Sequence, residues 1–485
     1  MTQIVILTFN TDDRRQVRYL GPYQVSWWMA QNGYSTQVLD HLYFMTKEQR
    51  VNLYNKYITK ETKIIGYAPF SMPASGQLFR LGRQLAADIL DEVTEMFPWV
   101  KVVVGGPVAR WVIQTGGASF KTKIDAVVDS EGEHSFLEYS NYVFKKAPHP
   151  LFTIRGGQKV ISSSKKYDIQ TCGMRFAKND FILPGESLPL ELSRGCIFKC
   201  GFCQYPHIGK DKDDFNKSIE CVKDSLISNY ELFGTTDYHL ADDTLNSHRE
   251  RTKQFHKMSK ELPFKLNYLG YVRMDLIDIW PEQMDILPDS GLTSAHFGVE
   301  SLDPYSCKII GKGWGAKNHK LFLEKLVKTW KNDVIINCSL IAGLGTETEK
   351  EWQDTHNWFS ESGVHDWFYQ PLYLSKSLGL SEFEKNYEKY GYEFVTVDGK
   401  ESDYIWHNKN TNINWNDTLE WCNKQRTSTL DITIPSVWNY TALRNLNFSR
   451  DEIIKSNYID LHAIRVSEER TQKFINAYYK MAINY

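Results

Sequence analysis

No stretch of this chain approaches the ~18 consecutive apolar residues that a membrane-spanning helix needs. The opening segment, MTQIVILTFNTDDRR, is apolar only briefly and has no basic leader. It reads as a first strand rather than a signal peptide. An excess of one charge is also missing, since 57 Lys and Arg stand against 59 Asp and Glu. That balance argues against general nucleic-acid binding. Together these absences predict a cytoplasmic protein without a membrane span. Cysteine is scarce, with eight in 485 residues and none before Cys172. In a reducing compartment, clustered cysteines serve metal binding or redox work more often than disulfides. The length exceeds one ordinary core, so two or three domains are expected.

Three of the eight cysteines crowd into RGCIFKCGFC, residues 194–203, as Cys196, Cys200 and Cys203. At this abundance a C-x3-C-x2-C pattern arises by chance in roughly 0.2% of such chains. The other five are scattered, as small buried residues would be. A closed structural metal site needs four ligands. Three thiolates suit a [4Fe–4S] cluster with one open iron. Zinc held by the three cysteines and His207 is the alternative.

The first ~145 residues alternate strand-like runs with amphipathic helices. QIVILTF, STQVLD, KIIGYAPF, KVVVGG and IDAVVD supply the strands. Five such repeats predict a parallel sheet covered on both faces, with its ligand crevice beyond the carboxyl ends of the strands. Residues 149–187 break this rhythm, with a hairpin turning at Gly156-Gly157 and a connector ending in LPGESLP. A second series follows over 188–375. Its strands are LPLELS, TDYHLA, FKLNYLG, TSAHFG, DVIINCSLI and DWFYQPL. Six units predict a partial (β/α)6 barrel with catalytic groups in the loops after the strands. The cysteine loop follows the first of them. The fold class expected is therefore α/β: a flavodoxin- or Rossmann-like domain over 1–148, the barrel, and a mostly helical region over 376–485.

C-x3-C-x2-C after a first barrel strand, with Phe202 before the last cysteine, resembles the radical S-adenosylmethionine (SAM) superfamily. The resemblance implies that Cys196, Cys200 and Cys203 ligate the cluster and that the open iron binds SAM. It extends to LADDTLN (240–246), which places Asp242 and Asp243 near SAM or substrate, with helix capping as their other reading. In YVRMD (271–275), Arg273 would pair with a carboxylate or form a surface salt bridge. In HFGVES (296–301), followed by KIIGKG (308–313), Glu300 would point into the barrel mouth. LIAGLGTETEKE (340–351) resembles the motif after the family's fifth strand. Gly343 and Gly345 would there admit the adenine, with Thr346 capping the next helix.

The N-terminal segments LGPYQVSWWMAQNGYSTQVLD, IIGYAPFS, VVVGGPVAR and DAVVDSEGEHSF resemble the cobalamin-binding domain of cobalamin-dependent radical SAM enzymes. Ser71, Gly105, Gly106, Glu131, Gly132 and Glu133 end strands three to five, where a macrocycle and its nucleotide tail would lie. A degenerate domain kept for packing is the other reading. Cobalamin domains often carry Asp-x-His-x-x-Gly after the first strand. Here NTDDRRQVRYLG has no histidine, so no imidazole from that loop would reach cobalt.

The resemblance implies a [4Fe–4S] cluster, SAM and cobalamin as cofactors, and an electron donor such as flavodoxin or ferredoxin. It implies methylation of an unactivated carbon of a small-molecule or peptide substrate. Cyclisation, rearrangement or oxidation without methyl transfer is the alternative, and a non-catalytic metal-binding protein a more distant one. A methylthiotransferase is disfavoured, because residues 1–171 lack the cysteines of its second cluster. In the C-terminal region, Trp406, His407 and Trp415 of DYIWHNKNTNINWND would face the substrate or simply pack.

Overall fold

The structure is a computed structural model. It describes residues 2–10, 17–70, 77–129, 131–165, 167–170, 173–204, 215–242, 244–331, 333–377, 379–397, 399–428, 437–455 and 461–485. Among them no helix is long and apolar enough to cross a membrane.

The first sheet contains β1 (Ile4–Leu7), β2 (Thr36–Leu39), β3 (Ile64–Tyr67), β4 (Lys101–Val104), β5 (Ala126–Val128), β6 (Phe152–Arg155) and β7 (Gln158–Ile161). Its order is β2-β1-β3-β4-β5-β7-β6. The five strands expected from the apolar runs are all parallel. Ile4, Val5 and Leu7 of β1 have no exposed surface, as a strand covered on both faces requires. The hairpin at Gly156-Gly157 forms, and it joins this sheet. β7 pairs in parallel with β5, and β6 closes the edge antiparallel to β7.

The second sheet has six parallel strands in consecutive order: β8 (Leu188–Leu190), β9 (Asp237–Leu240), β10 (Asn267–Tyr271), β11 (Leu292–Glu300), β12 (Ile335–Ala342) and β13 (Asp366–Pro371). Each overlaps a strand expected from sequence. Helices such as Ile219–Phe233 and Ala316–Trp330 separate them and bury Leu226, Leu323 and Leu326 against the outer face.

The C-terminal region is helical beyond Trp415, but it opens with a small antiparallel sheet that the sequence reading did not identify. β14 (Tyr392–Val397), β15 (Lys400–Asn408) and β16 (Ile413–Asn414) form it. Aromatic alternation in YEFVTV and YIWHN decided for strands within the region expected to be mostly helical. The last helix, Leu461–Asn484, returns to the first sheet. There Ile475, Tyr478 and Ala482 join its core, and the Asp40 amide donates to the Tyr478 hydroxyl.

Candidate active site

The cysteine loop leaves the carboxyl end of β8, the first barrel strand, where catalytic loops of such sheets lie. It is held by neighbouring segments and closed by a turn of its own. The Gly201 amide donates to the Ile310 carbonyl, and the Phe383 amide donates to the Gly201 carbonyl, each at 2.9 Å. A β-carbon on Gly201 would stand 2.8 Å from the Phe383 ring, so only glycine admits this approach. The Gln204 amide donates to Glu384. The Cys203 amide donates to the Cys200 carbonyl, closing a turn between the two cysteines.

Two neighbours reach the sulfurs. The Thr244 hydroxyl lies 3.5 Å from the Cys196 sulfur. An Arg273 Nη lies 3.8 Å from the Cys200 sulfur. Arg273 also stacks on Phe198 at 3.7 Å and forms a two-pronged ion pair with Asp275. Its carboxylate partner is therefore within the chain, and its positive charge faces the sulfur. Thr244, Phe198 and Asp275 escaped the sequence reading, because a threonine, a phenylalanine and an aspartate carry no signal of their own.

Among the described residues, no three metal-ligating side chains stand close enough to hold a single ion. His207, the expected fourth zinc ligand, lies outside the described residues, as do Asp243 and Ser71.

Asp242 does not cap a helix. Its buried carboxylate accepts from the Leu192 amide and the Ser193 hydroxyl, pinning the chain just ahead of the cysteines. Burial pushes its carboxyl up to about 6. Glu300 ends β11 at a bulge with φ of 67°. Its carboxylate meets Lys312 at 2.6 Å, and the same ammonium donates to the Gly298 carbonyl. Lys312 belongs to KIIGKG and approaches the Phe202 ring. Strand β11 and the cysteine loop are thereby tied together at the mouth.

The glycines after β12 lie close against side chains of other elements. A β-carbon on Gly343 would lie 2.6 Å from Trp406, and one on Gly345 would lie 2.8 Å from Ile309. Tyr392 donates to the Gly343 carbonyl and accepts from the Gly345 amide. At Gly343 the close neighbours are Trp406 and Thr418 of the C-terminal region, and at Gly345 they are Ile309, Ser306 and Tyr305 of the helix after β11. Thr346 is exposed and is not the cap. Thr348 and Glu351 form the capping box of helix Glu349–Glu361. Trp406 is fully buried, with its indole N–H on the Leu372 carbonyl, so the packing reading holds for it. Trp415 is buried too, and His407 bonds Glu393 and Asn412.

In the first sheet, Gly105 and Gly106 follow β4 at the crevice, Gly106 with φ of +68° and exposed. Gly132 packs so tightly that a β-carbon would meet Val25 at 3.0 Å. Glu133 is 2% exposed and binds Arg194 at 3.0 Å, with Glu131 at 3.7 Å from the same guanidinium. Arg194 also binds Glu191 at 3.0 Å. The expected lining residue Glu133 is thus turned to the segment leading into Cys196. Tyr19 stacks on Phe70 at 3.7 Å beside the crevice, a pair the sequence did not announce.

Residues 190–359 match the family model described as the Radical SAM superfamily. Cytidylyl-2-hydroxyethylphosphonate methyltransferase of Streptomyces wedmorensis is 27% identical over 115 residues, which is 23% of this chain and 20% of that protein. Ribosomal protein uS12 methylthiotransferase RimO of Hydrogenobaculum sp. (strain Y04AAS1) is 25% identical over 215 residues, 42% of this chain and 49% of that one. The chain therefore spans about a fifth and about half the length of these curated relatives. Among solved structures, the radical S-adenosylmethionine methyltransferase TsrM from Kitasatospora setae, with cobalamin and [4Fe-4S] cluster bound, superposes with a TM-score of 0.62 at 15% identity. It covers 82% of this chain and 78% of its own. The cobalamin-dependent S-adenosylmethionine radical enzyme OxsB, with aqua-cobalamin and S-adenosylmethionine bound, gives 0.61 at 14% identity over 99% and 79%. With its cysteine loop at the mouth of a six-stranded parallel barrel, preceded by a seven-stranded sheet whose first five strands are parallel, the chain carries a radical SAM domain over residues 190–359 and shares the fold of these solved structures.

Proposed function

We propose that this protein is a cobalamin-dependent radical SAM enzyme that methylates an unactivated carbon of a small-molecule or peptide substrate. The observation that carries the reading is the braced cysteine triad at the end of β8, with Arg273 on the Cys200 sulfur and Arg194 linking the loop's base to the first domain. Cys196, Cys200 and Cys203 would hold the cluster. Gly105, Gly106 and Glu131 would line the cobalamin crevice, where glycine backbone permits close approach of a macrocycle. When bound, the cluster and SAM supply a 5′-deoxyadenosyl radical, and cobalamin supplies a methyl group.

The chain's own residues bind, orient and exclude water. Arg273 places positive charge against a cluster ligand. Lys312 and Glu300 present a cation and a carboxylate at the mouth for the polar ends of SAM. Asp242 and Thr244 position the loop without touching the reacting atoms. Trp406 of the C-terminal sheet and Phe383 of the short helix before it wall the mouth off from solvent and so protect a radical from quenching. An electron donor such as flavodoxin or ferredoxin would reduce the cluster.

The test is anaerobic reconstitution with iron, sulfide and cobalamin, followed by a low-potential reductant and SAM. About four irons per chain, cobalamin co-eluting with the protein, and 5′-deoxyadenosine are expected. A product heavier by one methylene equivalent, found with candidate substrates, supports methylation. Deoxyadenosine with no such product points to rearrangement, cyclisation or oxidation instead. Zinc alone, with no SAM cleavage, refutes the proposal.

A further inference from the structure

The inward face of the barrel is layered. Near its base, Leu269 and Ile335 form an apolar layer covered by Tyr440 and Ile453 of the C-terminal helices. At the mouth stand Gly298, Lys312 and Glu300. Between them runs one register row across four neighbouring strands, in which Tyr271 pairs with His296, His296 with Asn337, and Asn337 with Asp366. Aligned residues of parallel strands share a face. This face is inward, because Phe297 and Cys338, the alternate residues, join the outer core.

The row is polar and incompletely satisfied. His296 is 5% exposed and Asn337 is 1% exposed. His296 Nε2 meets the Ser339 hydroxyl at 3.1 Å, and the Asn337 amide donates to Ser294. Their remaining atoms, His296 Nδ1 and Asn337 Oδ1, have no partner, and neither does Asp366 Oδ2, all three sealed from solvent. Buried polar atoms are nearly always paired. Three orphans at adjacent register positions are therefore a feature of the lumen and not three separate defects. Tyr271 stacks edge-on to His296 at 4.7 Å, and Phe368 lies 5.7 Å away, so flat apolar surface flanks the polar atoms.

We infer that the row Tyr271–His296–Asn337–Asp366 is the substrate-recognition layer of the barrel, built to take an uncharged, planar amide-type group. Such a group offers an N–H to Asn337 Oδ1 and a carbonyl to a donor on His296 or Asp366. It brings a flat body that suits the rings of Tyr271 and Phe368. Burial pushes the His296 imidazole down to about 3 and the Asp366 carboxyl well above the usual carboxylate range. Burial thus disfavours the charged form of each, so the row favours a neutral group over a carboxylate or an ammonium. The inference deepens the proposed function and rests on its reading of the barrel as the catalytic unit.

Benzamide, with benzoate and benzylamine as charged matches, is the probe for the reconstituted holoenzyme by ligand-observed NMR and crystal soaking. Saturable benzamide binding is expected, with both charged probes at least about tenfold weaker. Asn337→Leu and His296→Phe should each weaken benzamide about tenfold, since each removes one hydrogen-bonding group from a buried site. A soaked wild-type crystal should show the amide on Asn337 and His296, which keeps the test decisive if a variant fails to fold. Equal binding of all three probes overturns the inference. So does binding unmoved by either folded variant, or a lumen holding only ordered waters on the three orphan atoms. Reductive SAM cleavage by the wild type is scored separately. If it is absent while benzamide occupies the row, the catalytic reading fails and the recognition layer stands. If cleavage proceeds and benzamide ignores the row, only the recognition layer fails.

Discussion

The barrel mouth and the crevice of the first sheet are built on opposite plans. Each lies at the carboxyl ends of parallel strands. At the mouth, side chains do the holding. Thr244 and Arg273 reach the cysteines, Asp242 pins the chain just ahead of them, and Gly201 is locked between Ile310 and Phe383. At the crevice, backbone is offered instead, with Gly106 exposed and Glu133 withdrawn to Arg194. Ligands bonded to iron must stay fixed, which demands bracing. A large flat cofactor needs room and close backbone approach, which demands small residues. The difference teaches why one site has a sharp sequence signature and the other a diffuse one.

The largest expected effect breaks the mouth alone. Cys200→Ala should remove iron from the reconstituted protein and abolish deoxyadenosine formation, while cobalamin retention on gel filtration stays near wild type. Loss of both cofactors together would mean that the two sites are not separable as described.

The seam between the regions comes next. Arg194→Gln leaves Glu133 buried without its cation, while Glu191 keeps Lys217, a loss of about 3–5 kcal/mol by urea unfolding. Arg194→Lys should lose less, since it keeps the charge and forfeits the fork geometry. A change under about 1 kcal/mol for Arg194→Gln would show that the seam carries no weight.

A pH test sharpens the account of bracing. Asp242 has its carboxyl raised from 3.8 to about 6 by burial. An acid raised on folding favours the native state below the unfolded value, and that contribution is lost as pH rises through the folded one. Stability should therefore fall between about pH 4 and 6, by an amount of order 3 kcal/mol from this residue. Asp242→Asn, which keeps an acceptor for Leu192, should flatten that slope in urea titrations across the window. An unchanged slope would remove Asp242 from the account.

The smallest effect concerns the crevice. Gly106→Val imposes a left-handed backbone on a branched residue and should cost about 1–2 kcal/mol. It should also weaken cobalamin binding several-fold by absorbance titration while leaving iron content unchanged. Unaltered cobalamin affinity would argue that the macrocycle does not approach this glycine.

Legibility followed the same divide. The parallel strands of both sheets and the cysteine triad could be read along the chain, because apolar periodicity and ligand spacing are local properties. Asp242, Glu300 and Arg273 were found as positions but not as partners. Each is engaged by a residue 12 or more positions away, or by a neighbour such as Asp275 with no motif of its own. Thr346 was chosen as a cap over Thr348, two residues on. The capping box needs the Glu351 side chain to return to Thr348, and the glycine pattern drew attention away from it.

By itself, the amino-acid order determined that this chain folds into two parallel α/β units and offers three thiols at the end of one strand. These follow from side-chain period and from spacing within a few residues. Only the tertiary structure decided that Arg194 reaches Glu133, that Trp406 fills the space beside Gly343, and that the C-terminal helices floor the barrel. Those contacts join segments tens to hundreds of residues apart. Burial and electrostatic pairing select them after the chain has folded, and no local pattern records them.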